Sequence, residues 1–188
     1  MRKILVWITA VMMVFAMSAC SSNQSGATDT AEAAVIGLLD AVKAVDQAKV
    51  NQYVTPEDSM YSEDTATTED VETTKLLFEN MTYEVTSAEE NGDSAVVKVD
   101  ITTLDMSVIM QQYMQSSLEL ANSAAAPKEI TQETTTQLLK DAIEQNKDAT
   151  VSSSVELNVN KTEDGWKVET NSSFYSAISG GISEELFG

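Results

Sequence analysis

The chain has 188 residues, with thirty acidic against eleven basic side chains, no histidine and one cysteine, for a formal net charge of −19 at pH 7. A lone thiol excludes an internal disulfide framework, and the missing histidine removes imidazole metal ligation and every mechanism that needs a histidine base or shuttle. Hydrophobic residues make up 43% of the chain, enough for a core of ordinary size and too many for a wholly disordered polymer.

Met1-Arg2-Lys3 leads into an apolar run from Ile4 to Met17 that closes on Ser18-Ala19-Cys20. Two cations, a short apolar stretch and small residues form a secretory signal pattern. Fourteen residues at about 1.5 Å each reach roughly 21 Å, short of a ~30 Å hydrocarbon core, so residues 1–19 read as a cleaved leader and not as a permanent span. Met17-Ser18-Ala19-Cys20 resembles the lipobox of bacterial lipoproteins, with methionine where leucine is usual. The resemblance implies cleavage after Ala19, diacylglycerol on the Cys20 sulfur and often acylation of the new amine. A secreted protein with an incidental cysteine would have to place its sole cysteine at the cleavage point by chance. Two or more acyl chains, at about 0.8 kcal/mol per buried CH₂, anchor stably where one does not. The expected location is the outer face of the bacterial cell membrane. Past the leader, nine lysines and no arginine stand against all thirty acids, a net of −21. A surface so acidic repels nucleic acid and anionic headgroups, so the membrane contact is assigned to the lipid alone.

Residues 20–28 read as the acylated cysteine and a flexible tether, since Ser21 to Thr28 is small, polar and aperiodic. No repeat or second Pro/Gly-rich seam divides the rest, and residues 29–188 are expected to form a single domain. Asp29 is placed as an N-cap with Glu32 three residues on, ahead of an apolar stripe of Val35, Leu38, Leu39, Val42 and Val45. Asp46 caps a second short helix, Gln47 to Tyr53, that ends at Thr55-Pro56. From Pro56 to Thr74 there are seven acids and no base. Their spacing fits no calcium-loop pattern and no glycine turns the chain, so this reads as a solvated loop leading into a helix from Glu69 to Asn80.

The period then changes. Tyr83 and Val85 alternate with polar residues, Asn91-Gly92-Asp93 makes a turn, and Val97, Val99 and Ile101 alternate again. A second hairpin follows later: Val151, Val155, Leu157 and Val159 share a face, Glu163-Asp164-Gly165 turns, and Trp166 and Val168 return. Lys98, Asp100, Glu156, Asn158, Lys167 and Glu169 belong to the opposite, water-facing side. Two helical stretches lie between the hairpins, one marked by Met106 to Leu118 and one by Leu138 to Ile143. The chain closes on Phe174, Tyr175, Ile178 and Gly180-Gly181.

This order resembles the cystatin-like cone fold of the nuclear-transport-factor-two superfamily, and most of all bacterial lipoproteins that carry such a domain. Asp46, Lys49 and Tyr53 match a D-x-x-K-x-x-x-Y segment of that group, and Asp164, Gly165, Trp166 and Lys167 match its D-G-W-K element before the terminal helix. The resemblance implies an α+β fold: a curved antiparallel sheet of about four strands packed against N-terminal helices, with a two-helix insert. It also implies a concave pocket, to which Tyr83, Val97, Val99, Met110, Tyr113, Leu157 and Trp166 are assigned. The insert from Asp105 to Lys147 is longer than a minimal cone needs, and its helices would either leave that pocket open or fill it. Members bind small apolar ligands, act as isomerases or hydrolases, or only dimerise, so the fold does not choose a function.

For catalysis such a site needs a carboxyl group with a raised pKa beside a phenol or second acid, and Tyr83, Tyr113, Asp100 and Asp105 are the candidates. Strand parity puts Asp100 in water and makes Tyr83 a core aromatic with its hydroxyl at the rim. Met106, Met110 and Met114 repeat every four residues, which could stack thioethers for Cu(I), yet core packing or a partner groove is the simpler account. Three Asn-x-Ser/Thr matches carry no meaning in a bacterial lipoprotein, and no phosphate loop or nucleophile elbow occurs. Length excludes a two-lobed transport receptor. The expectation is a lipid-anchored, non-catalytic domain that binds a small apolar ligand or an envelope protein, with no metal or cofactor. An isomerase- or hydrolase-like enzyme is the alternative.

Overall fold

The computed structural model describes residues 29–55, 68–123 and 131–181. Ala19, Cys20, the tether and most of the acidic run lie outside them. Six helices and four strands follow in the described residues: α1 Ala31–Lys43, α2 Gln47–Tyr53, α3 Thr68–Phe78, β1 Thr82–Asn91, β2 Ser94–Leu104, α4 Met106–Asn122, α5 Gln132–Gln145, β3 Thr150–Thr162, β4 Gly165–Glu169 and α6 Ser172–Ile178. The strands form one open antiparallel sheet in the order β1-β2-β3-β4, so the fold is α+β.

The start of α1 departs from expectation by one residue. Thr30, not Asp29, is the N-cap, and its hydroxyl accepts the Ala33 N–H at 3.1 Å. Glu32 thereby loses the capping-box position. Glu90 of β1 accepts the Ala31 N–H instead at 3.0 Å, a cap from 59 residues away that no local motif announces. The helix stops at Lys43, so Val45 leaves the apolar stripe. It turns the chain into α2 with φ 54, a strained conformation for a β-branched residue. Asp46 caps α2 as its sequence implies, accepting the Lys49 N–H at 3.1 Å.

Both hairpins close where glycine supplies positive φ, Gly92 at 67° and Gly165 at 102°. On β2 the residues Ala95, Val97, Val99 and Ile101 are buried, and the charged and polar residues between them are exposed. A bulge between Val85 and Ser87 interrupts the register of β1, an edge strand. The apolar face of the sheet packs against α1, through Val35, Leu38, Leu39 and Val42, and against Phe174, Ala177 and Ile178 of α6. Neither outcome expected for the insert occurs. Helices α4 and α5 pair with each other beside α3 over a second cluster of Leu104, Ile109, Ala142 and Ile143, and α1 and α6 cover the sheet. The cause is at the end of β2, where Thr103 and Leu104 are buried in succession, one on each face.

Candidate functional site

The two apolar clusters meet where α3, the end of β2, the start of α4 and the end of α6 converge. Backbone geometry sets this junction. Helix α6 ends in a Schellman turn: Gly180 N–H reaches the Ala177 carbonyl at 3.4 Å and Gly181 N–H reaches Ser176 at 2.9 Å. Gly180 takes φ +69, and a Cβ there would lie 2.1 Å from the Leu104 carbonyl oxygen. Only glycine permits that approach, which lets Met106 N–H bond to the Gly180 carbonyl at 3.3 Å. Asp105 N–H bonds to the Ala149 carbonyl at 2.9 Å, fastening the same corner to the α5–β3 connection.

An apolar cleft of about 200 Å³ opens at this corner, lined chiefly by Leu77, Phe78, Leu104, Met106 and Ile178. Thr103, the one buried polar residue among those described, is at its wall, 2% exposed. Its hydroxyl donates to the Ala177 carbonyl at 3.2 Å, so its hydrogen-bonding capacity is turned into the fold and the cleft is presented with apolar surface. A larger hollow of about 500 Å³ lies on the outward face of the sheet over Glu84, Asp100, Thr102, Ser152 and Ser154. It is open and polar, and its cross-strand pairs satisfy one another: Ser154 to Asp100 at 2.5 Å and Thr102 with Ser152 at 2.7 Å. Apolar enclosure by four elements makes the smaller cleft the better binding site.

Of the seven residues assigned to a concave pocket, five come together at the main apolar core, Tyr83 packing against it, and the other two, Met110 and Tyr113, are on α4. Val97, Val99, Leu157 and Trp166 are packed into the main core. Tyr113 is half-buried against the second cluster, and Met110 is 38% exposed on the outer side of α4. Met114 and Leu118 extend that exposed row at 60% and 62%, so the methionine face expected as core packing is turned to solvent beyond Met106. Helix α4 buries Ile109 instead, and its Met row is left outside the α4–α5 contact. Among the described residues no group of three or more Asp, Glu, Cys or His is arranged to hold a metal.

The four catalytic candidates have structural roles. Asp105 is the N-cap of α4, accepting the N–H groups of Ser107 at 3.0 Å and Val108 at 3.4 Å and the Ser107 hydroxyl. The Ser107 hydroxyl first, and those amides after it, hold its carboxyl below the usual carboxylate range, opposite to what a general acid needs. Asp100 is exposed beside Ser154, as its parity implies. Tyr83 donates to Asp40 of α1 at 2.7 Å, and burial, then the Asp40 carboxylate, push its pKa well above the ordinary phenol value. That pair joins α1 to β1, and Lys43 Nζ, donating to the Met81 carbonyl at 2.8 Å, ties α1 to the residue just before that strand. Sequence reading missed Leu77, Phe78, Leu104 and the role of Thr103. The available signal was a polar residue on the apolar parity of β2, followed by two glycines after α6.

No family model matches the chain, and no curated protein matches it. Among solved structures, a candidate lipoprotein (ycdA) from Bacillus subtilis subsp. subtilis str. 168 is similar over 77% of this chain and 46% of that one, at 15% identity and a TM-score of 0.44. This chain thus spans less than half of that protein's length. Among the described residues, no helix is long and apolar enough to cross a membrane.

Proposed function

We propose that the protein is a lipid-anchored, extracytoplasmic binding protein, with an acylated Cys20, a tether to residue 28 and one domain of the cystatin-like kind from residue 29. On this reading it sits on the outer face of the bacterial cell membrane and takes a small apolar ligand. The observation that carries the binding function is the cleft at the α3–β2–α6 corner: apolar walls, no titratable side chain among the described residues that line it, and a threonine committed to backbone. Such a lining supports binding and not acid–base chemistry. At about 200 Å³ it suits a ring or a short alkyl segment and is below the ~300 Å³ at which drug-sized sites begin. Support for the location is the sole thiol at the end of the signal pattern.

One experiment has two arms. Cys20→Ala is expected to move the protein from the membrane pellet to the soluble or secreted fraction, and a variant that stays fully membrane-bound removes the anchor. Binding of an anilinonaphthalene sulfonate probe is expected to weaken about tenfold in Leu77→Glu, because a carboxylate then borders the apolar walls and repels the probe's sulfonate. Equal binding by both chains removes the cleft as the ligand site.

A further inference from the structure

The cleft is neutral in a chain that is not. Thirty acids stand against eleven bases, yet no titratable side chain among the described residues lines it. Its wall on α3 is made by Thr74, Leu77 and Phe78. Lys75 is exposed in the last turn of that helix, one residue past Thr74 and three before Phe78. We propose that the ligand of this cleft is an organic carboxylate with one apolar end, a short alkyl chain or a ring. The apolar end enters the cleft, and the carboxylate meets the Lys75 ammonium at the rim.

Three observations carry this inference, which rests on the cleft being a binding site. The first is reach. Residues three apart on a helix have Cβ atoms about 5–6 Å from each other, so the flexible stem of Lys75 brings its ammonium to the edge that Phe78 forms. The second is availability. Among the described residues the ion pairs take Lys49, Lys98 and Lys140, while Lys43 and Lys167 donate to backbone carbonyls. Lys75 is in none of these contacts. Of the two acids a turn away along the chain, Glu72 is paired with Lys140 at 3.8 Å and Glu79 is in no ion pair among the described residues. A lysine in a last turn offsets the helix dipole without any ligand, so exposure alone would not single it out; its place beside an apolar cleft does. The third is where a polar group can sit. The Thr103 hydroxyl is committed to the Ala177 carbonyl, so a carboxylate drawn into the cleft would be desolvated without a partner. The charged end is therefore held at the rim, in water. There the acidic remainder of the chain is screened beyond about 8 Å at physiological salt, and the nearby cation decides the sign of the local field.

The test is calorimetric titration of octanoate, octylammonium and 1-octanol into the full chain carrying Cys20→Ala, which removes the acyl groups proposed for its own anchor. Octanoate is expected to bind about fivefold tighter than octylammonium, the reverse of the order that the net negative charge alone would give. Adding Lys75→Met is expected to weaken octanoate about fivefold and to leave 1-octanol unchanged, and Lys75→Arg to keep octanoate at its affinity for Lys75. Because 1-octanol reports on the walls alone, damage to the fold in Lys75→Met would show as loss of all three probes. The order of octanoate and octylammonium in the chain with Lys75 then decides by itself. Octylammonium binding as tightly as octanoate or tighter overturns the proposal, as does a Lys75→Met chain that binds octanoate as before; in either case 1-octanol that still binds keeps the cleft as an apolar site. Binding of none of the three probes removes the cleft itself, and the carboxylate ligand with it.

Discussion

Two glycines with nearly equal φ show how differently one residue type is used. Gly180 at +69 faces the Leu104 carbonyl so closely that a methyl has no room, whereas Gly92 at +67 has nothing within 4 Å. Gly92→Ala is expected to cost only the left-handed backbone penalty, about 1 kcal/mol, and Gly180→Ala about 3 kcal/mol or more, measured by urea unfolding. Equal losses would mean that the Gly180–Leu104 approach is not needed. Tyr83 is a second residue whose environment decides its chemistry. Its folded-state pKa is raised, so the stability it contributes is fully present below the ordinary phenol value near 10 and is lost as pH rises through the folded value. Ultraviolet titration should therefore show a late phenol phase, above the ordinary range, that vanishes in Tyr83→Phe. Unchanged titration in Tyr83→Phe would remove the Asp40 contact from the account.

At the scale of elements, much was legible because alternation and helical period are local signals. The hairpins, α2 with its Asp46 cap and the two helices of the insert fall where the residues imply. What was not legible depends on partners far along the chain. Glu90 completes the cap of α1 from β1, and the register of β1 shifts after Val85. The methionine row of α4 looked like core because periodicity finds a face without saying what covers it. The cap of α4 yields a pH prediction. Asp105 has a lowered pKa, so its contribution is present above the unfolded carboxylate value near 4 and fades as pH falls through the folded one. Urea midpoints should fall more steeply below pH 4 for wild type than for Asp105→Asn, which keeps a capping oxygen without the titration. Parallel pH profiles would show that the cap does not depend on charge.

For the whole molecule, the sequence specified the fold class and the two hairpins but neither the order in which they join nor the cleft. The cleft is assembled from α3, β2, α4 and α6, which share no motif and meet where the two apolar clusters adjoin. No single segment carries its signature. The bulged first strand has a consequence of another kind. It leaves one border of the sheet unpaired among the described residues, and that border bears Glu84, Glu89 and Glu90. Under the lipid anchor proposed above, copies would share one leaflet and collide at high local density, the condition under which bare strand borders fuse into extended ribbons. Mutual repulsion along this acidic margin would then keep such neighbours as separate molecules. High salt should weaken it and shift sedimentation of the Cys20→Ala chain toward larger species, whereas a profile unchanged between low and high salt would assign that separation to some other feature.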